Sequence, residues 1–390
     1  MIAACGPGND HERIPMTGPL PDLAATVEAC PDPLTSSRRS PICASCIQGS
    51  DLVSFFAATV PGLGPLLRDE AGADQALKAE GEPGFDGRAD IVFFSTQRGA
   101  RFGLDRLRLA EDVFAVIGGS GGGPVSRVAD ALVSRDGLER ALSVWASYAG
   151  HLSPSMTFRI IARVVDESRF RRTELRSAVE RALSTSRPRW RLDDPADLEI
   201  WVVEHHRARF VSGLRLSSKR MRQHGSGRAS ERPGALRPVV AAAMVRLAGP
   251  EPGRLLDPCC GSGTIASEAV ATGWKAWASD IDDDAVRSAA ANVPQAVIRR
   301  ADARDLPYRD GEFDAVVTNV PFGRRFRLDE PGPWMRSVLG EAARVTRSGG
   351  RVVVLAPPPV PRPPAGLMLA GSYPLRVLGV AARIWAFDRR

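Results

Sequence analysis

Apolar runs of strand length begin at residue 51, where Asp-Leu-Val-Ser-Phe-Phe-Ala-Ala-Thr-Val predicts a strand over 51–60 that stops at Pro61-Gly62. A helix is expected over 63–73, and Ile91-Val-Phe-Phe-Ser95 predicts a second short strand. Residues 104–117 mix helical and strand spacing, the glycine cluster 118–123 reads as a flexible loop, and helices over 124–135 and 137–149 follow. That cluster leads into Pro124-Val125 and lacks the Lys-Ser/Thr of a phosphate-binding loop. Further on, 156–165 alternates as a strand with Phe158, Ile160 and Ala162 on one face. Residues 172–184 carry Leu175, Ala178, Val179 and Ala182 along one helical stripe, and 198–203 and 209–216 predict two more strands. Strand, helix, strand, strand in that order is a small α+β domain. His205-His206 sit side by side on a strand and so point to opposite faces, which makes them a surface and a core position rather than a metal pair.

The polar stretch 217–232, with Gly225, Ser226 and Gly227 at its centre, reads as a linker. Beyond it the rhythm changes. Strands are predicted at 253–258, 275–281, 296–301, 313–320 and 350–356 with helices between them, the pattern of a parallel doubly wound α/β sheet. Residues 357–364 hold six prolines and read as a stiff connection into an antiparallel pair over 367–387. The expected plan is an extension over 1–50, α+β units over 51–152 and 153–216, a linker over 217–232 and an α/β domain over 233–390.

Composition narrows the partners. At 44% hydrophobic and 25% charged, 390 residues are ordinary globular sequence, enough for two or three domains. The net charge is +7, but residues 151–235 alone carry 18 Lys/Arg against 10 Asp/Glu, a net +8 that leaves the rest near neutral. A basic middle between neutral ends points to a polyanion, with nucleic acid the leading candidate. No apolar run reaches the ~18–20 residues that cross a bilayer, and residues 1–21 lack the basic start and apolar stretch of a secretory signal. A cytoplasmic, reduced protein is expected. Cys43-Ala-Ser-Cys46, with Cys30 and Cys5 or His11, offers four zinc-type ligands. The irregular spacing and Pro/Ser/Arg-rich surroundings favour a flexible extension with incidental thiols, and no metal is expected.

The chemistry gathers at the strand ends of the α/β domain. Leu255-Leu-Asp-Pro-Cys-Cys-Gly-Ser-Gly-Thr264 runs from a strand through a glycine turn into a helix, and Gly261 and Gly263 allow the backbone to approach a ligand. Asp257, at the strand end, can accept from a ligand ammonium directly or through water. Asp280 ends the next strand, where a carboxylate binds the two hydroxyls of a ribose. Asp302, followed by Ala303, can accept from an adenine amino group. Each aspartate alone fits a cap or a turn; three at consecutive strand ends describe a ligand crevice. Ribose, adenine and an amino-acid moiety together describe S-adenosylmethionine better than NAD.

The fourth strand ends in Val317-Thr-Asn-Val-Pro-Phe-Gly323. Asn319 Oδ1 and the carbonyl of Val320 can each accept a hydrogen bond from an exocyclic amino group. That aims the nitrogen lone pair at a methyl donor, while Phe322 can stack on the base.

These motifs closely resemble those of the THUMP-domain RNA methyltransferases. Asp257-Pro-Cys-Cys-Gly-Ser-Gly-Thr264 is similar to their Asp-Pro-x-Cys-Gly-Ser-Gly-Thr cofactor loop, with Cys259 where Phe or Met is usual. The likeness implies that Asp257, Cys260, Gly261, Gly263, Thr264, Asp280, Asp302, Ala303 and Asn319 bind cofactor. Asn319-Val-Pro-Phe322 is similar to their Asn/Asp-Pro-Pro-Tyr/Phe motif, with Val320 in place of the first proline and Pro321 still restraining it. The implied catalytic residues are Asn319, Pro321 and Phe322. Asn/Asp-Leu-Pro-Phe/Tyr-Gly variants mark the branch that makes N2-methylguanosine in tRNA acceptor stems. Upstream, 55–67 and 107–114 resemble the family's N-terminal ferredoxin-like domain, and 154–216 resembles the THUMP domain. The resemblance implies a Rossmann-like methyltransferase sheet preceded by two α+β domains. It also implies S-adenosylmethionine as cofactor and transfer to N2 of a guanosine, position 6 of the tRNA acceptor stem. The expected form is a monomer that needs neither a membrane nor a protein partner. Arg171, Arg172, Lys219, Arg220 and Arg222 are candidate phosphate contacts. Other readings are a different tRNA or rRNA guanosine, and a non-catalytic RNA-binding protein that kept the fold. DNA adenine methylation uses similar chemistry but leaves the basic α+β segment without a purpose.

Overall fold

The computed structural model describes residues 52–390 except 101, 168, 225–234, 322–330, 360–362 and 378. The extension 1–50, with Cys5, His11, Cys30, Cys43 and Cys46, lies outside the described residues, as does Phe322.

Residues 52–215 supply eight strands: β1 (Leu52–Thr59), β2 (Lys78–Phe85), β3 (Asp90–Gln97), β4 (Asp112–Ser120), β5 (Thr157–Arg163), β6 (Arg191–Leu192), β7 (Leu198–His206) and β8 (Arg209–Arg215). They form one sheet in the order β2-β3-β1-β4-β8-β7-β5-β6. The two segments read from sequence as separate α+β units therefore share a sheet. The seam is the antiparallel pair β4–β8, which sets Phe114 opposite Arg215 and Ser120 opposite Phe210. Half of the expected glycine loop belongs to this seam. Gly118, Gly119 and Ser120 pair with Ser212, Val211 and Phe210, and a Cβ on Gly118 would lie 2.2 Å from the carbonyl oxygen of Ala131.

The central strands are apolar on both faces, and each face has its own core. Phe55, Val113 and Ala115 pack with Leu67, Leu132, Leu142 and Val179 from the helices Gly64–Ala73, Val125–Leu132, Arg135–Ala149 and Arg172–Ser186. One residue along, Phe56, Phe114 and Val116 face the other way. They join Phe93, Trp201, Val203 and Val211 in a cluster with no helical member. Curling of the sheet buries that cluster, because β2 swings round to meet β7. A Cβ on Gly84 would sit 2.6 Å from the His205 carbonyl oxygen. Inside the curl Phe56 stacks on Phe114 at 4.6 Å between centroids, and Phe114 meets Trp201 at 5.1 Å. Arg163 closes the opening, 4.2 Å above the Trp201 ring and 2.6 Å from the Asp86 carboxylate. His205 is buried in this wall and burial pushes its pKa down to about 4, while His206 is exposed.

The second sheet contains β9 (Arg254–Asp257), β10 (Lys275–Asp280), β11 (Val297–Arg300), β12 (Phe313–Asn319), β13 (Thr346–Ala356), β14 (Leu367–Val377) and β15 (Val380–Arg389). Its order is β11-β10-β9-β12-β13-β15-β14. The first five strands run parallel, and β15 pairs antiparallel with both β13 and β14. Helices Pro238–Leu247, Thr264–Ala271, Asp283–Asn292 and Pro331–Val345 accompany this sheet. Contrary to the expected alternation, 301–312 forms turns instead of a helix between β11 and β12. Pro307, Asp310 and Gly311 punctuate that segment too densely for a helix. The expected linker also holds a short helix, Lys219–Arg222, whose Met221 N–H donates to Ser218 Oγ at 3.3 Å. From β9 the chain proceeds outward through β10 and β11, then returns to build β12 on the other flank. In such sheets this reversal puts the usual ligand position, a crevice, outside the carboxyl ends of β9 and β12.

Candidate active site

The residues after β9 make a sharp turn at that crevice. Cys260 N–H donates to the Ser279 carbonyl at 2.9 Å, which ties the turn to β10. Gly261 has φ +52°, and a Cβ there would meet nothing within 4 Å, so the backbone faces open space. Gly263 has φ +82° and precedes the Thr264–Ala271 helix. A Cβ on it would press against Val293 and Ala289 at 3.2 and 3.3 Å, so glycine here lets two helices pack. Thr264, buried, is the first helical residue. The Asn292 side-chain amide braces the turn, donating to the Ser262 carbonyl at 2.9 Å. Asn292 was not among the sequence-based candidates, because its helix-end position carries no signal of what it reaches.

Three aspartates stand near this turn with different hydrogen-bond partners. Asp280 is half-buried; one oxygen accepts from Gly261 N–H at 2.9 Å and the other from Asp282 N–H at 3.1 Å. It therefore shapes the glycine turn and still has unused lone pairs on both oxygens. Asp302 lies two residues beyond β11 and is paired with Arg304 at 2.7 Å, whose hydrogen bonds hold its carboxyl below the usual range. Arg304 is a second residue the sequence reading passed over, although its two-residue spacing from Asp302 was a readable turn signal. Ala303 is buried beside it.

Asp257 is the last residue of β9. It is only 1% exposed, and Oδ1 accepts from Cys259 N–H at 3.2 Å. Burial pushes its pKa up to about 7. A carboxyl whose folded pKa exceeds its unfolded value binds extra protons in the folded state, so its contribution declines as pH rises from the unfolded toward the folded value. Between pH 5 and pH 7 the wild type should lose about 2 kcal/mol relative to Asp257→Asn. Guanidinium unfolding of both proteins at the two pH values checks this. A stability difference that does not change with pH would contradict it.

Burial raises the thiol pKa of both Cys259 and Cys260, so neither is a ready thiolate nucleophile. Asn319 is the last residue of β12, with Leu355 of β13 beside it. Val320 N–H donates to the Leu355 carbonyl at 3.3 Å, and the Val320 side chain is 1% exposed in a core with Leu256, Leu306 and Tyr308. Where the resembled motif carries proline, this chain anchors the motif by burying an aliphatic side chain. Pro321 follows, half-buried. Asn319 Oδ1 is buried and has no hydrogen-bond partner among the described residues. An unpaired buried acceptor costs about 1–3 kcal/mol, so this oxygen is suited to a ligand donor.

The phosphate candidates lie elsewhere. Arg171 and Arg172 are exposed at the start of the Arg172–Ser186 helix on the first sheet. Lys219, Arg220 and Arg222 are exposed on the short helix after β8, with Arg222 3.7 Å from Asp112.

The chain is similar to known methyltransferases. Residues 226–358 match the family of the RMKL-like methyltransferase domain. The chain is 36% identical over 169 residues to the tRNA (guanine(6)-N2)-methyltransferase of Thermus thermophilus, covering 40% of this chain and 50% of that protein. It is 35% identical over 130 residues to the mouse U6 snRNA (guanine-N(2))-methyltransferase THUMPD2, covering 31% and 24% respectively. The match thus spans half or less of these curated relatives. The crystal structure of TrmN from Thermus thermophilus superposes with a TM-score of 0.67 at 26% identity, covering 87% of this chain and all of that one.

A methyltransferase domain of this kind takes its methyl group from S-adenosylmethionine, and the residues present fit that group. The Gly261 turn opens onto free space, and Asp280 keeps acceptor capacity beside it. Residues 226–358 accordingly resemble an RMKL-like methyltransferase domain, in a chain similar to TrmN in fold.

Proposed function

We propose that the protein methylates the exocyclic N2 of a guanosine in tRNA, at position 6 of the acceptor stem, from S-adenosylmethionine. The observation that carries this reading is the buried Asn319 Oδ1 at the carboxyl end of β12, which has no hydrogen-bond partner among the described residues. Both named relatives act on guanine N2, which is the kind of group this oxygen would accept from. The cofactor supplies an electrophilic methyl group. Asn319 Oδ1 and the Val320 carbonyl each take one N2 hydrogen, turning the nitrogen lone pair out of conjugation with the ring. Neither acceptor is a base, so the surplus proton leaves to water after the new N–C bond has formed. Catalysis here is positioning, with Pro321 restraining the backbone of Val320 and Phe322 stacking on the base. Asp257, Cys260, Gly261, Gly263, Thr264, Asp280, Asp302 and Ala303 form the cofactor side of the pocket. A guanosine in a stem must leave its stack to arrive there.

The segments 51–152 and 153–216 then serve as the ferredoxin-like and THUMP parts of an RNA platform, and 233–390 as the catalytic domain. The +8 charge of 151–235 supports this division. Replacing Arg171, Arg172, Lys219, Arg220 and Arg222 with Ala should weaken tRNA binding and flatten the slope of log K against log salt by about one for each phosphate no longer neutralised. Filter binding over a salt series checks this; an unchanged slope would remove these residues from the interface. Among the described residues no helix is long and apolar enough to cross a membrane, and we read the enzyme as a cytoplasmic monomer.

The mouse relative acts on U6 snRNA, which favours a second reading in which the N2 chemistry is the same and the guanosine lies elsewhere in tRNA or in rRNA. Incubation with unmodified tRNA and S-adenosylmethionine, followed by nucleoside analysis, separates these readings. A non-catalytic RNA-binding protein would yield no product at all.

A further inference from the structure

The Thr264–Ala271 helix, which leaves the glycine turn, carries Glu268 with only 3% of its side chain exposed. Both oxygens are used by residues from outside the second sheet. Arg108 donates Nε and Nη2 to Oε2 at 2.9 and 2.7 Å, and His224 Nδ1 meets Oε1 at 2.9 Å. Arg108 precedes β4 of the first sheet, and His224 follows the short Lys219–Arg222 helix. The backbone at His224 is in the left-handed region, φ +52°, which a non-glycine residue adopts only when its surroundings hold it.

Neighbouring pairs reinforce the joint. Glu111 pairs with Arg237, at the start of the Pro238–Leu247 helix, and Asp112 lies 3.7 Å from Arg222. Leu109 N–H donates to Glu70 at 2.9 Å, fixing the same strap from the first-sheet side. Residues 108–112 thus connect the strand seam of the first sheet to the second sheet. Of these polar connections, the one at Glu268 reaches the helix that begins at the cofactor turn.

We propose that Glu268 is a positioning residue. Through Arg108 and His224 it sets the distance and angle between the RNA platform and the methyl-transfer site. The inference rests on the division of labour proposed above. A local structural residue would change cofactor affinity when altered. A positioning residue would leave each ligand's affinity intact and slow only the step that needs both ligands in register. A displacement of one ångström between reacting groups is enough to slow transfer about a hundredfold.

The test uses the full chain as wild type, Arg108→Met, Glu268→Gln and the double variant. Arg108 is the more exposed partner, so Arg108→Met remains informative if Glu268→Gln folds poorly. In the free protein, amide hydrogen exchange over 104–112 and 219–224 should accelerate in every variant, while 254–263 stays protected. With tRNA and S-adenosylmethionine, kcat should fall about tenfold to a hundredfold. Both dissociation constants should stay within about twofold of wild type, and the double variant should be no worse than Glu268→Gln. Unchanged exchange over 104–112 and 219–224 overturns the clasp. Loss of cofactor affinity in step with kcat, or an unaltered kcat despite faster exchange, overturns the positioning role. If the wild type methylates no RNA, the proposed function fails, and the exchange experiment alone decides whether the clasp exists.

Discussion

Asn319→Ala is expected to slow methyl transfer about a thousandfold while leaving S-adenosylmethionine affinity nearly unchanged. The substitution removes a buried oxygen at the end of β12 that has no donor among the described residues, and leaves the Val320 side chain in its core. The strand should survive, because β12 is held by backbone pairing with β13 along most of its length and with β9 at Ala315 and Val316. The target amine would keep one acceptor, the Val320 carbonyl, and its lone pair would relax back toward the ring. Single-turnover transfer with saturating tRNA, alongside calorimetric titration of the cofactor, separates the two effects. Retention of most activity would show that another group accepts the amino hydrogen. Asn319→Asp restores an acceptor and should recover part of the rate, which a purely structural asparagine would not predict.

Asp280→Ala should weaken S-adenosylmethionine binding roughly a hundredfold, about 3 kcal/mol. Two losses combine here. The carboxylate braces Gly261 and Asp282 through their N–H groups, and its remaining lone pairs are the proposed partners of the ribose hydroxyls. Asp280→Asn should be almost as damaging, since its amide would turn a donor toward one of those two backbone N–H groups. Calorimetric titration measures both variants, and affinities within threefold of wild type would remove Asp280 from the cofactor site. The expected asymmetry with Asn319 is diagnostic: one change harms the chemistry, the other the binding.

The parallel strands were legible in the sequence to within a few residues, because buried strands there are continuous apolar runs cut off by glycine, proline and aspartate. The strand expected at 313–320 is Phe313–Asn319, and that expected at 275–281 is Lys275–Asp280. The edge strand β2 was not legible. Lys-Ala-Glu-Gly-Glu-Pro-Gly-Phe has neither alternation nor an apolar run, since its side chains are largely solvated and it is held by backbone pairing to β3. The β4–β8 seam was hidden for a different reason. Its pairing joins segments about a hundred residues apart, and the glycines that enable it look locally like a loop. At the site, residue types and strand-end positions could be read from the motif. The electrostatic states could not. Burial of Asp257, the grip of Arg304 on Asp302 and the two-sided hold on Glu268 all depend on groups that the chain brings together only on folding.

The most direct test is to incubate the protein with unmodified tRNA transcripts and S-adenosylmethionine, then identify and map the modified nucleoside by mass spectrometry. The expected product is N2-methylguanosine at position 6 of the acceptor stem. That expectation would be contradicted by methylation of another base, or by no product despite intact protein and tRNA.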